Sequence, residues 1–243
     1  MLALAVQREE ERFAHHEELR DFVDIASHEL RHPMTIIKGY SATLRWYLEN
    51  MRSEAVLEAV LEMLGDIERG VDRLERIVFN LLDTDRIERG KLTLEMRAED
   101  PSSLLQRVVD EMRERRPQSP IHLHLAGSLP AREMDGEKIG QVLVILLENA
   151  INYSPPGSPV EVEAAADDQG RLTVSVLDRG VGIPEKDRER IFDRFYQVGD
   201  ASHHSSEGLG LGLYIAREIV KAHHGKIWYE PRDGGGSVFR FTV

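Results

Sequence analysis

The stretch Ser-His-Glu-Leu-Arg-His-Pro, from Ser27 to Pro33, carries residues that could do chemistry. A neutral imidazole is a nucleophile near pH 7, and a neighbouring carboxylate can accept its N–H proton and orient the other ring nitrogen. His28 and Glu29 are therefore suited to act as a nucleophile and its base. At about 100° per residue, His28 lies about 200° from the apolar positions Ala26 and Leu30. This disfavours a core histidine and leaves a solvated surface histidine open.

Proline interrupts the same helical pattern. Pro33 cannot donate a backbone hydrogen bond to the carbonyl of Glu29, and its ring crowds the preceding turn. A proline inside a helix costs about 3 kcal/mol, so a compensating role is expected. We expect a local bend that presents His28 to a large partner.

Four stretches later in the chain together favour a phosphate-binding site. Their sequences are LLENAINYS (146–154), LDRGVGIP (177–184), IFDRFYQ (191–197) and EGLGLGLYIAREIV (207–220). Gly208, Gly210 and Gly212 let the backbone approach a ligand closely at a helix start, where free N–H groups and the helix dipole favour anions such as a polyphosphate. Each glycine cluster alone could be an ordinary turn.

Side chains in these stretches have complementary chemistry. Asn149 offers an amide oxygen suited to a hard cation such as Mg²⁺, which bridges phosphates. Asp178, at the end of a predicted strand, can accept a hydrogen bond from the amino group of a purine. Phe192 and Phe195 are apolar residues in a polar loop, and we expect them to anchor that loop to the domain.

The first 90 residues are predicted to be helical. Apolar residues recur at steps of three and four, with an average near 3.5 that is typical of bundle packing. The first stripe is Ala26, Leu30, Ile37, Tyr40, Leu44, Tyr47 and Met51, and the second is Leu57, Leu61, Leu64, Ile67, Val71, Leu74, Val78 and Leu81. A turn at Asn50 to Glu54 would make a hairpin, and dimerisation into a four-helix bundle would bury both stripes. Residues 1–21 are interpreted as a helical linker.

From Lys91 the pattern changes to mixed strands and helices, which predicts a sheet with helices packed on one face. Strands are predicted at 121–125, 160–164, 172–177, 226–229 and 237–243, and helices at 102–115, 136–153 and 211–224. The long segment from Asp178 to Gly210 is expected to be functional or disordered. His122 and His124 are expected to face solvent, and the adjacent His223 and His224 to point to different faces of a helix.

Composition narrows the possible partners. The net charge is −12, which argues against nucleic acid, because phosphate binding needs a basic face. The chain has no cysteine, and no apolar run reaches the roughly 20 residues of a membrane span. We expect a cytoplasmic chain without membrane contact of its own, which could be the cytoplasmic fragment of a membrane-anchored sensor.

The stretches together resemble the catalytic core of the sensor histidine kinases of two-component signalling. SHELRHP resembles the H-box of that family, ENAINYS the N-box, DRGVGIP the G1-box, FDRF the F-box and GLGLGL the G2-box. The resemblance covers roughly residues 20–243. It implies a dimerisation and histidine phosphotransfer domain over residues 22–90. It also implies an ATP-binding α+β sandwich, of the gyrase, Hsp90, histidine kinase and MutL type, over residues 91–243.

The resemblance also implies a function and a set of roles. ATP with Mg²⁺ would phosphorylate His28, with Glu29 as general base, and a homodimer would pass the phosphoryl group to an aspartate on the receiver domain of a response regulator. Asp178 would read adenine and Asn149 would hold Mg²⁺. The other implied nucleotide-site residues are Asn152, Tyr153, Gly180, Gly182, Ile183, Phe195, Gly208, Leu209, Gly210, Leu211, Gly212 and Leu213.

Three positions near the phosphates depart from the commonest family pattern. Ile145 stands where a second asparagine is usual, Asn152 where lysine is frequent, and Gln197 where arginine is frequent. The changes remove one Mg²⁺ ligand and two positive charges, on which phosphoryl transfer largely depends. Arg194 and Lys186 are candidate replacements for the missing charge.

A fourth departure concerns the helix that carries the histidine. His32 stands where threonine or asparagine is usual, at a position tied to phosphatase activity, and a histidine can still position a water molecule. The joint that would let the ATP-binding domain reach His28 is expected near Arg89 and Gly90.

Two other functions compete with that of a kinase. The departures favour a nucleotide-binding dimeric scaffold with weak or no kinase activity, whereas the intact His28–Glu29 pair speaks against it. An ATPase clamp of the gyrase or Hsp90 type has no need of a helical Ser-His-Glu-Leu-Arg segment.

Overall fold

The computed structural model describes residues 26–27, 30–47, 54–167, 170–198 and 209–243. The chain divides into two compact units, Met1–Leu82 with Ala201–Leu209 and Asp83–Asp200 with Gly210–Val243. The predicted linker over residues 1–21, the His28–Glu29 pair with the bend expected beside it, and most of the predicted turn near residue 50 lie outside the described residues. Among the described residues, no helix is long and apolar enough to cross a membrane.

The first unit is built from two helices. Helix α1 covers residues 30–47 and continues through Pro33, which is buried. Helix α2 spans Glu54–Glu88. The two helices pack closely where α2 carries Gly70, because a Cβ added there would lie 3.0 Å from Ile37 Cγ1. Small residues at such crossings let helix backbones approach. The predicted stripe of α1 is thus confirmed at Ile37, which faces α2.

A polar contact accompanies the apolar packing of the two helices. The Tyr40 hydroxyl donates a hydrogen bond to the carboxylate of Asp66, which lowers the pKa of Asp66 and raises the pKa of Tyr40. Arg69, one turn along α2, donates a second hydrogen bond to the same carboxylate. Asp66 therefore joins α1 to α2 at the polar edge of their contact.

Part of the apolar stripe of α2 remains uncovered by α1. Ile67 and Leu74 are half-buried, and Ile77 is buried. Exposed apolar residues lie along the neighbouring face of the same helix, namely Leu61, Leu64, Val71, Val78 and Leu82. A solvated apolar row of this length is unusual on a monomeric helix pair and is typical of a surface that meets another chain.

The second unit contains a five-stranded sheet with the order β2–β4–β5–β7–β6. Its strands are β2 (Ile121–Ala126), β4 (Val160–Ala166), β5 (Leu172–Leu177), β6 (Lys226–Pro231) and β7 (Ser237–Thr242). Strands β2 and β4 pair in parallel, and the other neighbours pair antiparallel. A short antiparallel pair, β1 (Arg97–Glu99) with β3 (Arg132–Met134), lies beside it. All five predicted strands are confirmed, with ends shifted by at most two residues.

Three helices supply the layer that packs on the sheet: α3 (Pro101–Arg115), α4 (Gly136–Tyr153) and α5 (Gly212–Ala222). Aspartates at the N-caps explain where the first two begin. Asp100 accepts a hydrogen bond from the N–H of Ser102, and Asp135 accepts one from the N–H of Lys138. Leu143, Leu146 and Leu147 of α4 are fully buried. The predicted fold, a helical hairpin followed by an α+β sandwich, is confirmed.

His122 and His124 face solvent on a strand as predicted, whereas His223 and His224 follow the end of α5 at Ala222 and do not lie on two faces of that helix. His122 and His124 are exposed on β2. His223 is buried, whereas His224 is exposed with a φ of 60°. The Nε2 atom of His223 accepts a hydrogen bond from the Asp135 N–H at 3.1 Å, and its Nδ1 lies 2.8 Å from the Ile219 carbonyl. These contacts fit a neutral imidazole with its proton on Nδ1, and they hold the start of α4 against the end of α5.

Candidate functional site

Asp178 is the buried charge around which the site is built. It follows β5 and is only 2% exposed. Its Oδ1 accepts hydrogen bonds from the N–H groups of Gly180 at 2.7 Å and Ser237 at 2.9 Å. Burial raises the pKa of this carboxyl, and the backbone N–H groups oppose that rise by stabilising the anion. The result is a fixed carboxylate, suited to accept a hydrogen bond from an amino group.

The β6–β7 hairpin holds Asp178 from behind. Arg232 donates a hydrogen bond to the Asp178 carbonyl at 3.1 Å and pairs with Glu161 at 2.8 Å. Gly236 has a φ of 110°, and a Cβ there would collide with the carbonyl oxygen of Asp178. Sequence reasoning did not find Arg232 or Ser237. The run of three glycines that precedes Ser237 is the one local signal that could have indicated this close approach.

The N-box and G1-box stretches meet at the carboxyl end of α4. A Cβ on Gly180 would lie 2.5 Å from the carbonyl oxygen of Tyr153, so only glycine fits there. The N–H of Arg179 donates to the hydroxyl of Ser154 at 3.3 Å. The loop that carries Asp178 therefore passes directly over the end of the helix that carries Asn149.

The G2-box stretch contacts the F-box stretch and helix α4. Gly210 has a φ of 66°, and a Cβ there would lie 2.8 Å from the Phe195 carbonyl carbon. The N–H of Phe195 donates to the Gly210 carbonyl at 3.0 Å. A Cβ on Gly212 would lie 3.2 Å from Cγ2 of Ile145. The four stretches that lie far apart in sequence thus form one contiguous region.

The start of helix α5 can receive an anion. The helix begins at Gly212, and its N-cap residue, Leu211, makes no side-chain capping hydrogen bond. The first N–H groups of a helix lack intrahelical partners, and the helix dipole places partial positive charge there. This end of α5 is therefore a suitable place for the phosphates of a nucleotide.

Aromatic residues fix the F-box stretch to the domain. Phe192 is buried and packs edge-on against Phe239 of β7, with ring centroids 6.4 Å apart. The Tyr196 hydroxyl donates to buried Asp187 at 2.6 Å, which raises the pKa of Tyr196. The anchoring role predicted for Phe192 is confirmed. Phe195 is half-buried and has a φ of 63°.

Arg194, a candidate for the missing phosphate charge, has other contacts. Its guanidinium pairs with Glu88 in the last turn of α2 and lies 4.8 Å from the centroid of the Phe195 ring. Lys186, the other candidate, is exposed. In this arrangement Arg194 is engaged by a carboxylate, so compensation by Arg194 would require that ion pair to open.

The remaining predicted residues differ in exposure. Asn149, Ile183 and Leu213 are half-buried, and Leu209 and Leu211 are buried, so the two leucines could meet a ligand only through their backbones. Exposed positions are Asn152, Tyr153, Gln197 and, on α1, His32. Gly208 lies outside the described residues.

The donor set fits a cation held largely by a nucleotide. Asn149 provides one amide oxygen on α4, and Ile145, one turn earlier, provides none. No group of three His, Asp or Glu side chains that could hold a metal ion occurs in the part of the chain that the structure describes. Mg²⁺ commonly keeps water and phosphate ligands and takes only one or two from protein. A single asparagine is compatible with that mode.

The fold and the contiguous motifs define an ATP-binding domain. Residues 134–243 match the family model described as the histidine kinase-, DNA gyrase B- and HSP90-like ATPase. Residues 18–90 match the His kinase A phospho-acceptor domain. The chain therefore belongs to the sensor histidine kinases of two-component systems.

Three relatives place the chain within that family. It is 34% identical to the sensor histidine kinase WalK of Bacillus subtilis over 93% of this chain, but spans only 37% of WalK. Full-length ShkA, solved in complex with AMPPNP, matches with a TM-score of 0.63 at 27% identity, over 92% of this chain and 45% of ShkA. ThkA, solved in complex with the response regulator TrrA, matches with a TM-score of 0.59 at 25% identity, over 89% of this chain and 59% of that chain.

Proposed function

We propose that this chain is the catalytic core of an ATP-dependent protein-histidine kinase, which phosphorylates His28 and passes the phosphoryl group to an aspartate of a response regulator. The observation that carries the proposal is the contiguous site around buried Asp178, in a chain whose other domain matches a phospho-acceptor family. The ThkA structure with its response regulator supports this class of partner.

In the proposed reaction, one imidazole nitrogen of His28 attacks the γ-phosphorus of ATP. The N–P bond forms as the bond between the γ-phosphorus and the β-phosphate oxygen breaks, ADP leaves, and Glu29 takes the proton from the other ring nitrogen. Asp178 fixes the adenine ring of ATP, and the N–H groups at the start of α5 stabilise negative charge on the phosphates. Bound Mg²⁺ would neutralise further phosphate charge, with Asn149 as its protein ligand.

The proposal includes the assembly and location of the core. The uncovered apolar row on α2 supports a homodimer through a four-helix bundle. The use of ATP and of a response regulator supports a cytoplasmic location. We retain the domain limits 22–90 and 91–243. His32 stands four residues after His28 in the sequence and is exposed, so it is a candidate for positioning water in a phosphatase reaction.

The test is incubation with γ-labelled ATP and Mg²⁺, comparing the parent chain with His28→Ala and, as a matched control, His32→Ala. Label that is present in the parent and in His32→Ala, absent from His28→Ala, lost in acid and kept in base would establish a phosphoramidate at His28. Label that persists in His28→Ala would reject the assignment of that residue.

A dimeric nucleotide-binding scaffold is the second candidate. Two observations favour it. Arg194 pairs with Glu88, and Gln197, which is exposed, stands where arginine is usual in the family. ATP binding by calorimetry without any acid-labile label would select the scaffold over the kinase.

A further inference from the structure

The backbone of Ile183 is held on both sides by side chains. Its N–H donates to the hydroxyl of Tyr229 on β6 at 3.2 Å. Its carbonyl accepts a hydrogen bond from Nε of Arg188 at 3.3 Å. Ile183 lies in the loop that begins at Asp178, and loop backbone of this kind is ordinarily free to bond with water. Here a residue of β6 and a residue five positions further along the chain fix one peptide segment.

The two side chains also support each other. The guanidinium carbon of Arg188 lies 5.7 Å from the centroid of the Tyr229 ring, within the range of a cation–π contact. The Tyr229 ring packs against Phe239 at 5.5 Å, and Phe239 packs against Phe192 of the F-box stretch at 6.4 Å. Tyr229 is therefore fixed by the sheet, and an aromatic row joins the loop to the F-box.

The same hairpin that fixes Asp178 thus fixes the other end of the loop. Ser237 and Arg232 hold Asp178, and Tyr229 holds Ile183. Gly182, between them, has a φ of 71°, and a Cβ there would lie 3.8 Å from the Tyr229 hydroxyl. The loop is consequently tied to β6 and β7 at both ends.

We propose that Tyr229 and Arg188 are positioning residues for the adenine nucleotide, which hold Ile183 in the conformation that nucleotide binding requires. The inference rests on the ATP binding proposed above. A loop ordered in advance loses less conformational entropy when its ligand binds, so removing either contact weakens binding without removing a group that touches the nucleotide. The binding step changes and the phosphoryl-transfer step does not.

The test uses Tyr229→Phe, which removes the hydroxyl and keeps the ring, and Arg188→Met, which removes the donor and the charge. Each is expected to raise the dissociation constant and the KM for ATP about three- to tenfold, as loss of one hydrogen bond should. The kcat should stay within about twofold. Arg188→Lys, which retains the charge over the ring, should recover part of the loss.

Two comparisons separate positioning from general stability. Tyr47→Phe removes one hydroxyl in the helical unit and should leave ATP affinity unchanged. The double variant Tyr229→Phe/Arg188→Met should weaken binding by less than the product of the two single effects, because both contacts act on Ile183. Thermal unfolding without nucleotide should fall by no more than about 2–4 °C, as loss of one hydrogen bond of about 1 kcal/mol does in a chain of this size.

Several outcomes overturn the inference. Unchanged ATP affinity in Tyr229→Phe, with a parent that binds ATP, would reject the inference and leave the proposed function intact. An affinity loss matched by a large fall in unfolding temperature would assign Tyr229 a purely structural role. A parent that fails to bind ATP would reject the proposed function itself.

Discussion

At the scale of single residues, Asp178 combines two opposing demands. Its carboxylate is buried, which costs folding free energy, and two backbone N–H groups stabilise its anionic form. Residues of this kind are retained for binding and lower the stability of the empty protein. Stability and nucleotide binding should therefore respond in opposite directions when this charge is removed.

Asp178→Asn tests that expectation. The new amide can accept the N–H groups of Gly180 and Ser237 through its oxygen, but its NH₂ group then faces an adenine amino group, so donor meets donor. ATP affinity should fall at least about tenfold, as expected for a hydrogen bond to a charged group. The unfolding temperature without nucleotide should stay equal to that of the parent or rise. Calorimetric titration with ATP and thermal unfolding would check both, and unchanged affinity would contradict the assignment.

The raised pKa of Asp178 predicts a pH dependence with a definite sign. Because its pKa is higher in the folded than in the unfolded chain, the ionised carboxyl destabilises the protein near neutral pH. This penalty disappears as the pH falls through the folded-state pKa towards the unfolded value. The stability advantage of Asp178→Asn should thus be largest near neutral pH and shrink in acid, measured by denaturant unfolding at several pH values. A stability difference between Asp178→Asn and the parent that does not change with pH would contradict the raised pKa of Asp178.

Alanine substitutions at Gly210 and Gly90 separate the free-energy cost of a steric collision from the cost of the backbone conformation. Both have a positive φ, near 66° and 63° respectively, but a Cβ on Gly210 would collide with Phe195 and a Cβ on Gly90 would meet nothing within 4 Å. Gly90→Ala should cost about 1 kcal/mol through its backbone alone. Gly210→Ala should cost distinctly more and should raise the KM for ATP, because it separates the F-box from the G2-box. If Gly210→Ala and Gly90→Ala lowered the free energy of unfolding equally and changed the KM for ATP equally, the F-box contact would be unimportant.

At the scale of elements, the last residues of helix α2, Asp83–Glu88, contact the rest of their own unit at two points. Buried Asp83 accepts hydrogen bonds from Gln141 at 2.7 Å and Lys138 at 3.3 Å, both on α4. Glu88 pairs with Arg194. Asp83–Glu88 thus belongs structurally with the unit that follows it. The joint predicted near Arg89 and Gly90 remains a prediction.

Asp83→Ala tests the first of these two contacts. Removal of a part-buried carboxylate that pairs with Lys138 should cost about 1–3 kcal/mol and should loosen the end of α2. Trypsin should then cleave faster after Arg86 and Arg89, as followed by mass spectrometry. The matched control is Asp85→Ala, which removes an exposed carboxylate that pairs with Arg89 one turn away and should cost less than about 1 kcal/mol. Equal cleavage in the two variants would show that α2 is held elsewhere.

Local sequence signals predicted the helices and strands better than they predicted the contacts between them. Helix α4 was predicted with its observed limits, because its apolar spacing and Asp135 cap are encoded in neighbouring residues. Strands β1 and β3 were not predicted, because three residues are too few to show alternation. The roles of Tyr229 and Arg188 depend on which loop the sheet brings to them, and no local pattern specifies that. Asp178 was found because it stands beside recognisable glycines.

At the scale of the whole molecule, the uncovered apolar row on α2 predicts a dimer. Val71 is 42% exposed and Leu61 is 59% exposed, and both lie on the face that α1 leaves open. Val71→Glu places a charge in that face and should convert a dimer to a monomer at micromolar concentration, measured by sedimentation. Glu62→Lys changes charge on the opposite face of α2 and should leave the dimer intact. A parent that sediments as a monomer would contradict the four-helix bundle.

The position of β7 has a consequence for biosynthesis. This strand comes later in the chain than the other four of its sheet, yet it pairs between β5 and β6. Hydrogen bonding across the middle of the sheet therefore cannot be completed until β7 has left the ribosome. Until then β5 presents an open edge, and Asp178 lacks the Ser237 N–H that holds it. Nascent chains should acquire ATP affinity abruptly, at the length that releases β7, and chaperones should shield the β5 edge before that point.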